Sequence, residues 1–242
     1  MNVEILYGPS YSMAKVALSP DEEIRVEAGS MVAMSPGLQL ETKAEGGLLA
    51  SLARSVLGGE SFFLNRYRAP AAGGEIMVAP PPPGDIAVME LQNEEFLVQS
   101  GSYVANGVGV SVDTAWGGAK TFFASEGLIM LKLSGSGTLI ISSYGAIHPL
   151  VLGPGQQYTV DTGHLVAFTS TMGFNVRRVG GITSTLFSGE GLVVDLTGPG
   201  RIWMQTRSTD AFLSWLLPRI PNQGERHGTT IGGKGLSINL GG

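Results

Sequence analysis

Apolar and polar residues alternate in short runs along most of the chain, and glycine-rich breaks separate the runs. That period of two predicts strands rather than helices. Three stretches carry one pattern: IRVEAGSMVAM (24–34), FLVQSGSYVAN (96–106) and YTVDTGHLVAF (158–168). Each reads as a strand, a tight turn and a second strand. Val26, Val98 and Val160 end the first strand. Gly29, Gly101 and Gly163 sit where the chain must turn back, where positive φ is expected and a Cβ would clash. Val32, Val104 and Val166 lie in the returning strand, whose pleated surface suits β-branched side chains. Ala33, Ala105 and Ala167 follow, small enough for two layers to approach closely.

The surroundings of the three stretches also repeat. Leu18, Leu91 and Leu152 each precede a turn bearing Pro, Asn or Gly, then two polar residues that lead into the next strand. Downstream, GESFFL, SEGLIM and GEGLVV align on Glu60, Glu126 and Glu190. In the last two copies a glycine turn follows, Gly135-Ser136-Gly137 and Gly198-Pro199-Gly200, which predicts a hairpin. The expected fold is therefore all-β, with three homologous β-sandwich-like repeats about a pseudo-threefold axis. Residues 1–218 form a single compact domain, in units 12–85, 86–146 and 147–218.

Two segments depart from the strand pattern. GGLLASLARSVLGG (46–59) sets Leu48, Leu49, Leu52 and Val56 on one helical face, bounded by paired glycines. Only the first unit has this insert, and a helix so short must pack on something. A C-terminal helix is expected over 210–217. Ser208, Thr209 or Asp210 would cap it, Phe212 and Trp215 would lie in it, and Pro218 would end it. Residues 219–242 read as a glycine-rich tail in which LSINL could add an edge strand. The prolines from Pro80 to Pro83 form a stiff connector.

Composition narrows the function classes. The chain has 242 residues, 43% of them hydrophobic and only 14% charged, so it can build a substantial core. A net charge of −5 opposes a surface that works by phosphate contacts, so DNA is not an expected partner and RNA is disfavoured. No cysteine is present, which excludes disulfides and thiolate metal sites. No apolar run is long enough to span a bilayer, and no signal segment precedes the first strand, so a cytoplasmic location is expected.

Candidate chemistry is sparse. His164 replaces the Ser30 and Ser102 of the other two copies. A lone histidine needs partners to act as a base or ligand, and a hydrogen bond within its own turn is the plainer account. His148 and His227 are the only others, at no compact metal-binding spacing. Glu60, Glu126 and Glu190 around one axis could hold a cation, but a repeated residue more often serves a repeated structural purpose. No Gly-x-Ser-x-Gly elbow and no Gly-x-Gly-x-x-Gly between strand and helix is present, so no catalytic residue and no cofactor is expected. Arg177, Arg178, Arg201 and Arg207 read as solvated strand faces.

Five stretches, taken together, resemble the altered-inheritance-of-mitochondria family and its bacterial relatives of unknown function. They are GGESFFLNRY ending at Tyr67, LSGSGTLIISSYGAI (133–147), VDTGHLVAF (160–168), VRRVGG (176–181) and LFSGEGLVVDLTGPGRIWMQTRS (186–208). The resemblance implies an all-β fold related to the tryptophan RNA-binding attenuator class, built of three similar units, with no catalytic residues to carry over. Its mitochondrial members are linked to inner-membrane organisation, a role that does not transfer directly to a chain without a targeting segment. The function expected is thus a non-enzymatic scaffold or protein-interaction module, its partner a second copy or another protein, with a membrane surface as a further candidate. Its contact surface would be Leu48, Leu49, Leu52 and Val56, together with Phe212 and Trp215. The rival readings are a small-ligand or metal-binding β-barrel and, by fold analogy alone, an RNA-binding module.

Overall fold

The computed structural model describes residues 1–41, 56–57, 60–61, 64–113, 129–179 and 192–220. The fold is mostly β. The first part of the chain supplies β1 (Asn2–Leu6), β2 (Met13–Leu18), β3 (Glu23–Glu27), β4 (Met31–Met34), β5 (Gln39–Glu41), the short β6 (Val56–Leu57) and β7 (Glu60–Ser61), β8 (Leu64–Arg68) and β9 (Gly74–Val78). The middle supplies β10 (Ile86–Gln99), β11 (Tyr103–Gly107), β12 (Val110–Asp113) and β13 (Met130–Ser142). The last part supplies β14 (Ile147–Leu152), β15 (Gln157–Asp161), β16 (Leu165–Thr169), β17 (Gly173–Arg178), β18 (Leu192–Thr197), β19 (Gly200–Gln205) and the helix α1 (Thr209–Leu216).

One large sheet runs in the order β14-β19-β16-β10-β13-β11-β3-β8-β5, with β12 also on β13. A four-stranded sheet, β1-β2-β9-β4, and a three-stranded sheet, β15-β18-β17, stand apart from it. Among the described residues, all pairings between these strands are antiparallel, and one isolated bridge, Gly84 to Gly145, is parallel. Alternation sends one side of each strand inward; β2, with burial alternating along its six residues, is the plainest case.

The three repeated stretches are corners, not the hairpins expected from their glycines. β3 lies in the large sheet and β4 in the four-stranded one; β15 and β16 are likewise in different sheets. β10 and β11 flank β13 on opposite sides. A period of two specifies which face of a strand is buried, but it carries no information about the strand's partner. The downstream hairpins fail for the same reason. β13 runs straight through Gly135 and Gly137, whose φ values of +126° and +135° let it bend beside a bulge between Gln92 and Glu94 of β10. β18 and β19 flank Gly198–Gly200 yet pair with other strands.

The second strand of each corner carries an irregularity at the same place. The register of β4 on β9 shifts between Met31 and Ala33, that of β11 on β13 between Tyr103 and Ala105, and that of β16 on β19 between Leu165 and Ala167. The residue at each shift is Val32, Val104 or Val166. Among the described residues, the core divides into three clusters. The first gathers Val16, Ile24, Val26 and Ile76 with Val104 and Ala105 of β11. The second gathers Phe96, Val98, Leu131 and Leu139 with Val166 and Ala167 of β16. The third gathers Val160, Leu165, Phe168, Val194 and Ile202.

One expectation of the insert needs amendment. Val56, placed on the apolar face of an inserted helix, is instead in strand β6, where it lies opposite Ser61 of β7. A β-branched residue two positions before a glycine pair favours that extended pairing. Leu48, Leu49 and Leu52 lie outside the described residues, as does the tail from residue 221.

Candidate interaction surface

The C-terminal helix is built as its sequence suggests. Ser208 is its N-cap, its hydroxyl accepting from the Ala211 amide at 3.4 Å, and a 3-10 turn from Leu217 to Arg219 carries Pro218 beyond the last helical turn. What the sequence leaves open is the side the helix presents. No residue of α1 is buried. Phe212 is 41% exposed and Trp215 54%, and Leu213, Leu217 and Ile220 are exposed with them. The rings form a chain: Tyr144 meets Phe212 edge-on at 5.9 Å, Phe212 stacks on Trp215 at 6.2 Å, and the Arg219 guanidinium lies over the Trp215 ring at 4.8 Å. An arginine shared with a tryptophan face gives this patch one polar edge on an otherwise apolar surface.

Beneath the helix, Gln205 at the end of β19 joins three segments. Its side-chain carbonyl accepts from the Tyr144 amide at 2.9 Å, and its amide nitrogen donates to the Gly163 carbonyl at 2.9 Å. Its own backbone carbonyl accepts from Nδ1 of His164 at 2.7 Å. A carbonyl can only accept, so this histidine carries its proton on Nδ1. Asp161 completes the turn by accepting from the Gly163 amide at 2.8 Å. His164 therefore fastens its turn to a neighbouring strand, where a bond within its own turn was expected. Gln205 itself was not singled out from the sequence, because a glutamine in a strand reads as a solvent-facing residue.

The other predicted residues do not converge. Gly29 has φ +93°, while Gly101 and Gly163 lie in short 3-10 turns without positive φ. Positive φ is found instead at Asp21, Asn93 and Gly155, one turn upstream of each corner. Glu60 is in β7, and Glu126 and Glu190 lie outside the described residues. Among the described residues no three of His, Asp and Glu are grouped as metal ligands would be.

One buried polar group, Asn106, was missed, and Arg201, expected on a solvated strand face, is instead stacked and paired. Asn106 is fully buried at the junction of β11 and β3, accepting from the Tyr103 hydroxyl at 2.5 Å and donating to the carbonyls of Gly107 and Val110. Burial drives the Tyr103 hydroxyl well above its ordinary pKa, so it serves as a neutral donor. Arg201 spans the β16–β10 junction. Its guanidinium lies 5.0 Å over Phe96 and 5.4 Å over Trp203, and it pairs with Glu94 at 2.5 Å. These groups hold strands together. Among the described residues no helix is long and apolar enough to cross a membrane.

Comparison with known proteins places the chain. The model of the family described as mitochondrial biogenesis AIM24 matches residues 3–207. An uncharacterized protein of Streptococcus pyogenes serotype M6 is 25% identical over 219 residues, 87% of this chain and 88% of that protein. The crystal structure of a Streptococcus pyogenes protein superposes with a TM-score of 0.74 at 25% identity, covering 90% of this chain and 99% of the other.

Proposed function

The chain belongs to the mitochondrial biogenesis AIM24 family, and from that premise we propose that it is a non-enzymatic assembly module made of three homologous β units. The observation that carries the proposal is the exposed aromatic patch of α1. A helix with no buried residue leaves most of its apolar surface without cover from its own fold, and contiguous exposed aromatics of this kind serve recognition. The unit reading is supported by the register shift repeated at Val32, Val104 and Val166. In this reading Phe212 and Trp215 bury against a partner protein, with Arg219 at the rim of the contact.

The test compares wild-type protein with Phe212→Ser/Trp215→Ser as bait in quantitative affinity isolation from the native cell. Partners recovered by the wild type and lost by a folded double variant support the proposal. Identical recovery by both removes α1 as the contact. A stoichiometric metal in the purified protein, or a small molecule that raises its melting temperature, would favour a binding protein instead.

A further inference from the structure

Strand pairing between successive units occurs twice by one rule. Ala105 of β11 lies opposite Val26 of β3, followed by Asn106 opposite Arg25. Ala167 of β16 lies opposite Val98 of β10, followed by Phe168 opposite Leu97. In each case the second strand of one corner pairs with the first strand of the preceding corner, in identical register. The pairing carries the valine of the later strand into the earlier core: Val104 joins the first cluster and Val166 the second.

Among the described residues, the same rule leaves one strand unpaired at each end of the series. β4 has β9 on one side and is the outer strand of its sheet; β15 has β18 on one side and is the outer strand of its own. Exposure marks both as incomplete. Val104 and Val166 are fully buried, but Val32 at the corresponding position of β4 is 54% exposed. Ile24 and Phe96 are fully buried, but Tyr158 at the corresponding position of β15 is 45% exposed. All four residues of β4 are exposed and apolar, and β15 is more open than β3. Neither edge carries a lysine or proline of the kind that keeps strand edges apart. The shift at Val32 is no barrier, since β11 and β16 pair on both sides with the same irregularity.

We propose that β4 of one copy pairs antiparallel with β15 of a second copy, in the register used twice within the chain, Ala33 opposite Val160 and Met34 opposite Thr159. Val32 then enters the third core cluster of the neighbouring copy, and the two split sheets become one sheet across the junction. The contact is heterologous, joining two different edges, so a joined pair keeps a free β15 on one copy and a free β4 on the other. Copies add head to tail, closing into a ring if the rotation per copy divides a full turn and growing into a filament otherwise. The inference rests on the three-unit reading above and names a second copy of this chain as one partner.

The two edges are tested separately with full-length Val32→Asp and Tyr158→Asp, each at an exposed position, with circular dichroism melting to verify the fold. Sedimentation velocity over a concentration series should show the wild type assembling and both variants as monomers. An equimolar mixture should give a capped dimer of about twice the single-chain mass, because each variant retains the edge that the other lacks. Self-association by either variant alone means a two-fold contact and overturns the proposal. A monomeric wild type also overturns it, and slow amide exchange at Met31–Met34 would then identify cover by the same chain. Neither result touches recovery of partners through Phe212 and Trp215, so failure here is distinct from failure of the module reading.

Discussion

Nδ1 of His164 lies 2.7 Å from the carbonyl oxygen of Gln205, and that bond closes the turn before β16 onto the end of β19. The Gln205 side chain returns the connection by donating to the Gly163 carbonyl. The two residues thus hold the base of α1 in place from both directions, which ties the exposed aromatic patch to the β core.

This predicts unequal costs of substitution. Gln205→Leu removes a buried amide that satisfies the Tyr144 N–H and the Gly163 carbonyl, and it should cost about 1–3 kcal/mol. His164→Phe loses a single partly buried bond, for about 1 kcal/mol. Chemical denaturation of the two variants should rank them in that order. Equal stability of wild type and Gln205→Leu would mean that Gln205 does not join these segments.

The three corner glycines are predicted to differ although they occupy one sequence frame. Gly29→Ala must place an L-residue at φ +93° and should lose about 1–2 kcal/mol. At Gly101 a Cβ meets nothing within 4 Å and the backbone is ordinary, so Gly101→Ala should stay within about 0.5 kcal/mol of wild type. At Gly163 a Cβ would stand 2.6 Å from Ser208 Oγ and 3.1 Å from Asp161 Oδ1. Gly163→Ala should therefore lose about 1–2 kcal/mol by displacing the cap of α1. Ser208→Gly added to it should restore most of the loss, since glycine is a tolerable cap. Thermal melts of the four proteins decide among these mechanisms.

Asp195 gives a dependence on pH. Hydrogen bonds from Arg177, at 2.6 and 3.1 Å, and then from Thr159, at 2.7 Å, hold its carboxyl below the ordinary carboxylate range. A folded value below the unfolded one means that the contribution is complete above about pH 4 and is lost as pH falls through the depressed value. The group is exposed, so the effect is small and weakened by salt. Arg177→Gln should melt below wild type at neutral pH and low ionic strength, and the gap should close in acid. A gap that persists unchanged at acid pH would assign the loss to packing rather than charge.

The class of fold and the three corner positions were legible in the sequence, but the predicted turn at residues 135–137 was not one, since β13 runs through it. Alternation of apolar residues is a local property, and Val26, Val98 and Val160 each lie one residue before the end of a strand. The capped helix after Ser208 was legible for the same reason, because an N-cap and a following apolar run act within one or two turns. Partnership was decided only by tertiary structure. Nothing in the shared frame distinguishes Val32 from Val104 and Val166, since each follows the corner glycine by three residues and precedes an alanine. Two of them are buried because a preceding strand is there to receive β11 and β16, and Val32 is exposed because β4 comes first in the series. The hub at Gln205 belongs to the same category. A glutamine's role depends on which backbone groups arrive beside it, and those groups come from Tyr144 and Gly163, dozens of residues away in the chain.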